Sequence, residues 1–425
     1  MTRRKRRKII KIALIVFLTL FALERLYNSQ DKFQVTALDA ADYGIVEIMM
    51  TTGEKLDDFD YFYDEFVDNY PFFEVNKRLH NIDWLGNKSK YKRIIRNTKT
   101  DAEFLVAMEQ ILGDLNDGHV NILTGETYKN HYKMTYDMYA DLDNPFEPIS
   151  FYEAFATPYV RFRYMFTGTM DEINSIQLYD DSVVETKKLI YDELAYMKIK
   201  DMAGSDTQKN DHIVINDFLR EVKDYEKLII DIRGNNGEID SYWEYIVELL
   251  IDEPISYDYY SFFKDGHRYM YSPYRVEDLN TINQLDEKIL DQFPEEVATD
   301  LDFYRTYTIS LNPSPDNIDF KFNGEVYLLV DRNVFSSAEK FASFAKDTGF
   351  ATLVGETTGG GRVFEEIPIT YFPLSKLAIS YSRELSINAD GTINMETRTI
   401  PHIEVDSTPH EDFTKDKCIQ AVIND

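Results

Sequence analysis

Apolar positions along the chain change period several times, and each change predicts an element. From Asp57 onward, Phe59, Phe62, Tyr63 and Phe66 recur at helical spacing, which predicts a helix with one buried face. Pro71 ends that helix or begins the next. Thr100 and Glu103 have the spacing of a capping box, and Phe104, Leu105, Met108, Ile111 and Leu112 form the buried face behind it. Residues 57–113 therefore read as a small helical subdomain, preceded at 31–56 by a stalk or an early strand, with a strand-like stretch at 44–50. Residues 120–190 read as short, aromatic-rich strands and turns.

A different alternation follows. A strand near 195–199 leads to a linker at 201–211 and then to the apolar run 227–232, which reads as a buried parallel strand. Trp243, Ile246, Val247 and Leu250 give the face of the next helix. Residues 253–320 are acidic and rich in tyrosine, an insertion or an embellished crossover. A second buried strand at 326–330 precedes a helix at 337–347, with Gly349 placed as its C-cap. A third strand at 351–354 runs into the glycine-rich loop 355–361. Strand–helix–strand units of this kind indicate an α/β core.

Charge divides the chain. Residues 1–30 hold eight basic side chains against Glu24, a net +7, and the remainder carries −36. A basic cluster followed by an uncharged run from Ile12 to Leu23 has the shape of a signal sequence or an uncleaved signal anchor. Both place the acidic body outside the cytoplasm, with the membrane as a partner of the N-terminal segment. So acidic a body repels phosphate backbones, which argues against nucleic acid. Cys418 is the single cysteine, so no intramolecular disulfide forms. No zinc-binding cysteine pair or His-Glu-x-x-His helix is present either. No metal or other cofactor is implied, and oligomeric state is not readable.

Ser336 follows a buried strand and opens a helix. Such a position holds a serine rigidly and offers unpaired N–H groups to a developing oxyanion. On local sequence alone, Ser336 or Ser337 reads first as a plain helix cap completed by Glu339. His119, taken alone, reads as a helix-end histidine satisfied by Asp117 or the backbone.

The blocks taken together carry more. Residues 326–339, ending Val-Phe-Ser-Ser-Ala-Glu, and the loop that follows at 350–361 resemble the catalytic segment of the S41 family of serine peptidases, the tail-specific and tricorn-like enzymes. Leu228-Ile-Ile-Asp-Ile-Arg-Gly-Asn-Asn-Gly237 is similar to the family's Asp-x-Arg-x-Asn-x-Gly-Gly turn, and Leu115-Asn-Asp-Gly-His-Val120 to its Leu-x-Asp-x-His segment. The helical stretch resembles the family's N-terminal cap. These blocks stand in the family's order and cover somewhat more than half of the chain.

The resemblance implies a crotonase/protease-type β/α core with a helical N-terminal cap. The expected domains are 1–30 as the signal or anchor segment, 31–120 as N-terminal strand and cap, and 121–425 as peptidase core with the insertion near 253–320. It implies a serine-type peptidase acting on extracytoplasmic peptides or proteins. Ser336 is then the nucleophile. The serine–lysine branch has its lysine where this chain has Gly361, followed by Arg362, which stays protonated and cannot be a base. His119 takes the role of base, as in the tricorn and retinoid-binding-protein-like branches. Glu396 matches the glutamate that orients the base. The N–H groups of Gly237 and Ser337 become the oxyanion donors, while Arg233 and Asn235 brace the turn. Glu238, where the family often has a second glycine, and His402, where it has an aspartate, depart from the pattern. Two rivals remain: an inactive binder of peptides or small hydrophobic ligands on the same scaffold, and a surface interaction protein using residues 253–320.

Overall fold

The computed structural model describes residues 39–140, 157–266, 279–315, 322–365 and 367–425. Helix α1 (Thr52–Asn69) begins earlier than its aromatic face suggests. Thr51 accepts from the Glu54 N–H and Glu54 from the Thr51 N–H, a full capping box. Phe59, Phe62 and Phe66 are buried as their spacing requires. Helices α2 (Phe73–His80), α3 (Lys88–Arg96) and α4 (Asp101–Gly113) complete the group. Thr100 caps α4 by accepting from the Glu103 N–H. The expected strand at 44–50 does not form. The N–H groups of Ile48 and Met50 go to the Asp101 carboxylate at 2.8 and 3.0 Å, so no partner strand is needed.

After α4 the chain passes His119, makes the short strand β1 (Asn121–Ile122) and enters helix α5 (Gly125–Ala140). This helix replaces the strands expected there. Tyr128 and Tyr132, one turn apart, pack against Tyr164 and Phe166 with ring centroids 4.2 and 4.7 Å apart, so the aromatic richness is helical packing.

The core is a six-stranded sheet. In chain order it takes β2 (Val184–Ile190), β3 (Leu194–Ile199) and, after helix α6 (Ser205–Val222), β4 (Lys227–Asp231). The helix consumes most of the expected 201–211 linker. Helix α7 (Asp240–Leu250) follows, and then the 253–320 region makes β5 (Ile255–Phe263), β6 (Asn280–Thr281) and β7 (Phe303–Leu311). Strand β8 (Glu325–Val330), helix α8 (Ser337–Thr348) and strand β9 (Thr352–Gly355) form the next crossover. Strands β10 (Ile369–Tyr371), β11 (Ala378–Ser380), β12 (Leu385–Ser386) and β13 (Ile403–Glu404), then helix α9 (Lys417–Asn424), finish the chain. The core order is β13-β9-β8-β4-β3-β2, parallel except for the β2–β3 pair. The tyrosine-rich region is a second sheet, in which β5 and β7 pair along their whole lengths and β12 joins from the C-terminal part.

Strand alternation explains the layers. Leu228, Ile230, Leu328 and Val330 face a core shared with Trp243, Phe341 and Phe344 of α7 and α8. Ile229, Tyr327 and Leu329 point to the opposite face, against Ile419 and Val422 of α9. A sheet covered on both faces needs apolar residues at consecutive positions, which is why these strands read as continuous runs. The helical group is fixed to this body by the buried Asp58, which accepts from the Leu374 and Ser375 N–H groups at 2.9 and 2.7 Å. Phe62–Phe372 and Phe66–Tyr381 ring contacts add to it. The basic and apolar N-terminal segment lies outside the described residues; among those, no helix is long and apolar enough to cross a membrane.

Candidate active site

Ser336 occupies the turn between β8 and α8 with φ +55° and ψ −120°. A non-glycine residue here is strained by about 1–3 kcal/mol, a cost typical of functional turns. The plain-cap reading fails on two counts. Ser336 makes no capping bond with its side chain. The Glu339 carboxylate accepts instead from Asn394 Nδ2 and Thr399 Oγ1, both at 2.7 Å. The turn is held from two sides: the Ser336 N–H donates to the Gly360 carbonyl, and the Phe335 N–H to that of Asn235, both at 3.2 Å.

His119 comes from the loop after α4 and meets this serine. Its Nε2 lies 3.1 Å from Ser336 Oγ, and its ring packs on Phe335 with centroids 4.5 Å apart. Burial, with a smaller push from the Lys340 ammonium, holds the imidazole pKa below its ordinary 6.5 against the opposing pull of Asp117. The ring is therefore neutral, as a base must be. On its far side, Nδ1 has no hydrogen-bond partner among the described residues. The nearest carboxylate is Asp117, whose Oδ1 is 3.8 Å away. That carboxylate is itself fixed, accepting from the His119 N–H at 2.9 Å and the Tyr70 hydroxyl at 3.0 Å.

Glu396 is not brought to the histidine. Its carboxylate takes three hydrogen bonds from Arg78, at 2.5 to 3.2 Å, and Arg78 also donates to Glu296. The expected orienting residue is thus a clasp between α2, the tyrosine-rich region and the 394–397 turn. The physical reason is direct: the Arg78 guanidinium engages both of its oxygens and holds them away from the ring.

The expected oxyanion donors are divided. Ser337 opens α8, and its N–H has no acceptor among the described residues, as a first-turn N–H should not. Gly237 lies against it: a Cβ at Gly237, whose φ is +86°, would fall 2.5 Å from Ser337 N. The Gly237 N–H, however, donates to Asn235 Oδ1 at 2.8 Å, so it is already satisfied. Its contribution is space. The next N–H along, that of Glu238, has no acceptor among the described residues. The Glu238 carboxyl turns away to accept from Tyr179, and desolvation pushes its pKa up to about 7. Asn235 and Arg233 brace the turn as expected. Asn235 Nδ2 donates to the Ile199 carbonyl at 3.1 Å, and Arg233 reaches Asp231 and Asp416 at 2.7 and 3.0 Å.

Gly361 admits no lysine in this arrangement. A Cβ there would lie 2.2 Å from Phe335 Cε2. Arg362 is buried elsewhere, stacked 4.4 Å from the Tyr259 ring and donating to the Ile387 carbonyl. His402 pairs with Leu353 through backbone and Nδ1, extending the strand edge. Among the described residues no cluster suited to a metal ion occurs. Lys340, one turn along α8 and paired with Asp240 at 2.5 Å, escaped the sequence reading because α7 and α8 meet only through tertiary packing.

These groups open into a cleft of about 990 Å³. The cap contributes Tyr70, Phe72 and Leu79, α5 contributes Met134, and the C-terminal part contributes Met395 and Arg398.

Strand, strained serine, helix and facing histidine define the class: an α/β protein laid out as a serine hydrolase. The sequence profile of peptidase family S41 matches residues 193–405, half of the chain, and the chain belongs to that family. No curated protein matches it by sequence. Among solved structures, a candidate peptidase from Parabacteroides merdae ATCC 43184 is 19% identical, covers 87% of this chain and 96% of its own, and superposes with a TM-score of 0.55. Mature CPAF is 12% identical over 84% of this chain and 93% of its own, with a TM-score of 0.51. Its complex with lactacystin gives the same identity and score, over 84% and 94%. At these identities the likeness is one of fold.

Proposed function

We propose that this chain is a serine-type peptidase working through Ser336 and His119. The contact between His119 Nε2 and Ser336 Oγ, at 3.1 Å, carries the reading. As Oγ attacks the substrate carbonyl carbon, Nε2 takes its proton. The C–N bond then breaks and the proton passes to the leaving amine. Water, losing a proton to the same Nε2, attacks the acyl-serine and releases the acid and the free hydroxyl. Developing charge on the carbonyl oxygen is met by the Ser337 N–H at the start of α8, with the neighbouring Glu238 N–H as second donor. Asp117, rather than Glu396, stabilises the imidazolium from the Nδ1 side. The absence of a lysine at Gly361, and the lack of room for one, support this Ser–His branch over the serine–lysine branch.

The substrates are peptides or proteins outside the cytoplasm, a placement supported by the basic and apolar N-terminal segment. Casein hydrolysis by the full chain and by Ser336→Ala tests the proposal. Cleavage should be lost by about 10³-fold or more; equal cleavage by both would remove Ser336 from the chemistry.

A further inference from the structure

Two of the cations lining the cleft have carboxylate partners. Lys340 is paired with Asp240 at 2.5 Å, and Arg332 with Glu356 at 3.1 Å. Arg398 is different. It lines the same cleft, and among the described residues no carboxylate lies within ion-pair distance of it.

Its placement is also built. Arg398 holds φ +61°, a conformation that side-chain-bearing residues rarely adopt. Its neighbours in the loop, Asn394 and Thr399, are both anchored by Glu339 on the nucleophile's helix. Its stem packs on Gly360, since a Cβ there would lie 3.1 Å from Arg398 Cγ. The Gly360 carbonyl in turn accepts from the Ser336 N–H. One glycine therefore separates the arginine stem from the nucleophile's backbone.

We infer that Arg398 is a specificity residue that anchors a carboxylate of the substrate close to the bond being cut. This rests on the peptidase reading above. A guanidinium offers a planar fork of N–H donors that matches a carboxylate with two parallel hydrogen bonds. With no carboxylate among the described residues to satisfy it, that fork can take one from a ligand. In a peptide the carboxylate comes from an aspartate or glutamate side chain or from the C-terminus.

The test uses the full chain with Ser336→Ala, so that binding is read without turnover. Four dansylated probes are titrated by fluorescence: hexaalanine as free acid, hexaalanine amide, and the amide carrying one central glutamate or one central glutamine. The expected result is about 10- to 100-fold tighter binding of a carboxylate form than of its neutral counterpart. Adding Arg398→Gln should erase the preference, and Arg398→Lys should keep part of it. Preference for the free acid identifies a terminal carboxylate; preference for the glutamate probe identifies a side chain. Thermal unfolding of each variant shows that it is folded, and Arg398→Lys, which keeps stem and charge, stands in should Arg398→Gln unfold.

Carboxylate forms that bind no tighter than their neutral counterparts, or a preference that survives Arg398→Gln, overturn the inference. Fluorophosphonate labelling of the unmutated chain separates the two ideas. Labelling without a carboxylate preference removes the Arg398 role alone. An Arg398-dependent preference without labelling removes the peptidase reading and leaves the carboxylate site.

Discussion

His119 Nδ1 stands 3.8 Å from Asp117 Oδ1, while Nε2 on the other side of the ring is 3.1 Å from Ser336 Oγ. The first distance is too long for a hydrogen bond, but the pair is buried and the carboxylate is held in place. Once Nε2 takes the serine proton, the ring becomes a cation beside a fixed anion in a low dielectric, and the two attract strongly.

Asp117→Asn should therefore lower kcat/KM by about 10²- to 10⁴-fold, since an amide does not stabilise the imidazolium. Glu396→Gln should change it by less than about threefold, because the carboxylate faces Arg78 and an exposed pair of this kind contributes little. Steady-state kinetics on both variants checks this. The reverse ranking would restore Glu396 as the orienting group.

The pH–rate profile follows from the same ring. Burial and Lys340 push its pKa below 6.5, and Asp117 pulls the other way. The active base is the neutral form, so kcat/KM should rise through a midpoint below pH 6.5 and be flat by neutrality. Lys340→Met removes a cation and leaves Asp240 unpaired, and both changes move the acid limb to higher pH. Asp117→Asn moves it lower. An acid limb unmoved by either substitution would mean that another group titrates.

How much of this was legible in the sequence depends on where each interaction lies along the chain. Strands β4 and β8 and the serine turn announce themselves through local apolar runs and the residues that follow. Asp117 also stood in plain view, two residues before His119, but only the fold shows which carboxylate lies beside the ring. Glu396 has the right motif position, yet Arg78 comes to it from more than three hundred residues away, and no local pattern encodes that meeting. For the Gly237 N–H the obstacle is local: its acceptor, Asn235 Oδ1, is a side chain folded back on its own turn. Helix α5 was missed because tyrosines at helical spacing carry strong strand propensity.

Gly237→Ala tests the geometry of the turn. The new methyl would fall 2.5 Å from Ser337 N and 2.6 Å from the Phe335 carbonyl, at φ +86°. Backbone atoms cannot yield as a flexible side chain would. A loss of about 2–4 kcal/mol of stability is expected, with activity falling alongside. Chemical denaturation measures it, and an unchanged midpoint would show that the turn relaxes freely.

Behind the cleft wall, a buried acid makes stability depend on pH. Glu384 accepts from Ser261 and from the Phe364 and Glu365 N–H groups. Desolvation first, then the neighbouring Glu365, push its pKa up to about 7. The folded state thus holds a proton that the unfolded chain releases near pH 4.5. Stability from this group is greatest below pH 4.5, falls as pH rises through about 7, and is level above. Glu384→Gln, which stays neutral, should raise Tm relative to the parent more at pH 8 than at pH 5. Equal shifts at both pH values would contradict the raised pKa.

The central claim is that Ser336 is a nucleophile activated by His119. Incubation of the full chain with a fluorophosphonate at pH 8, followed by peptide mass spectrometry, tests it most directly. The account predicts a single adduct on Ser336, absent from Ser336→Ala and formed at least about a hundredfold more slowly in His119→Ala. An unmodified Ser336, or labelling at the same rate without the histidine, would contradict it.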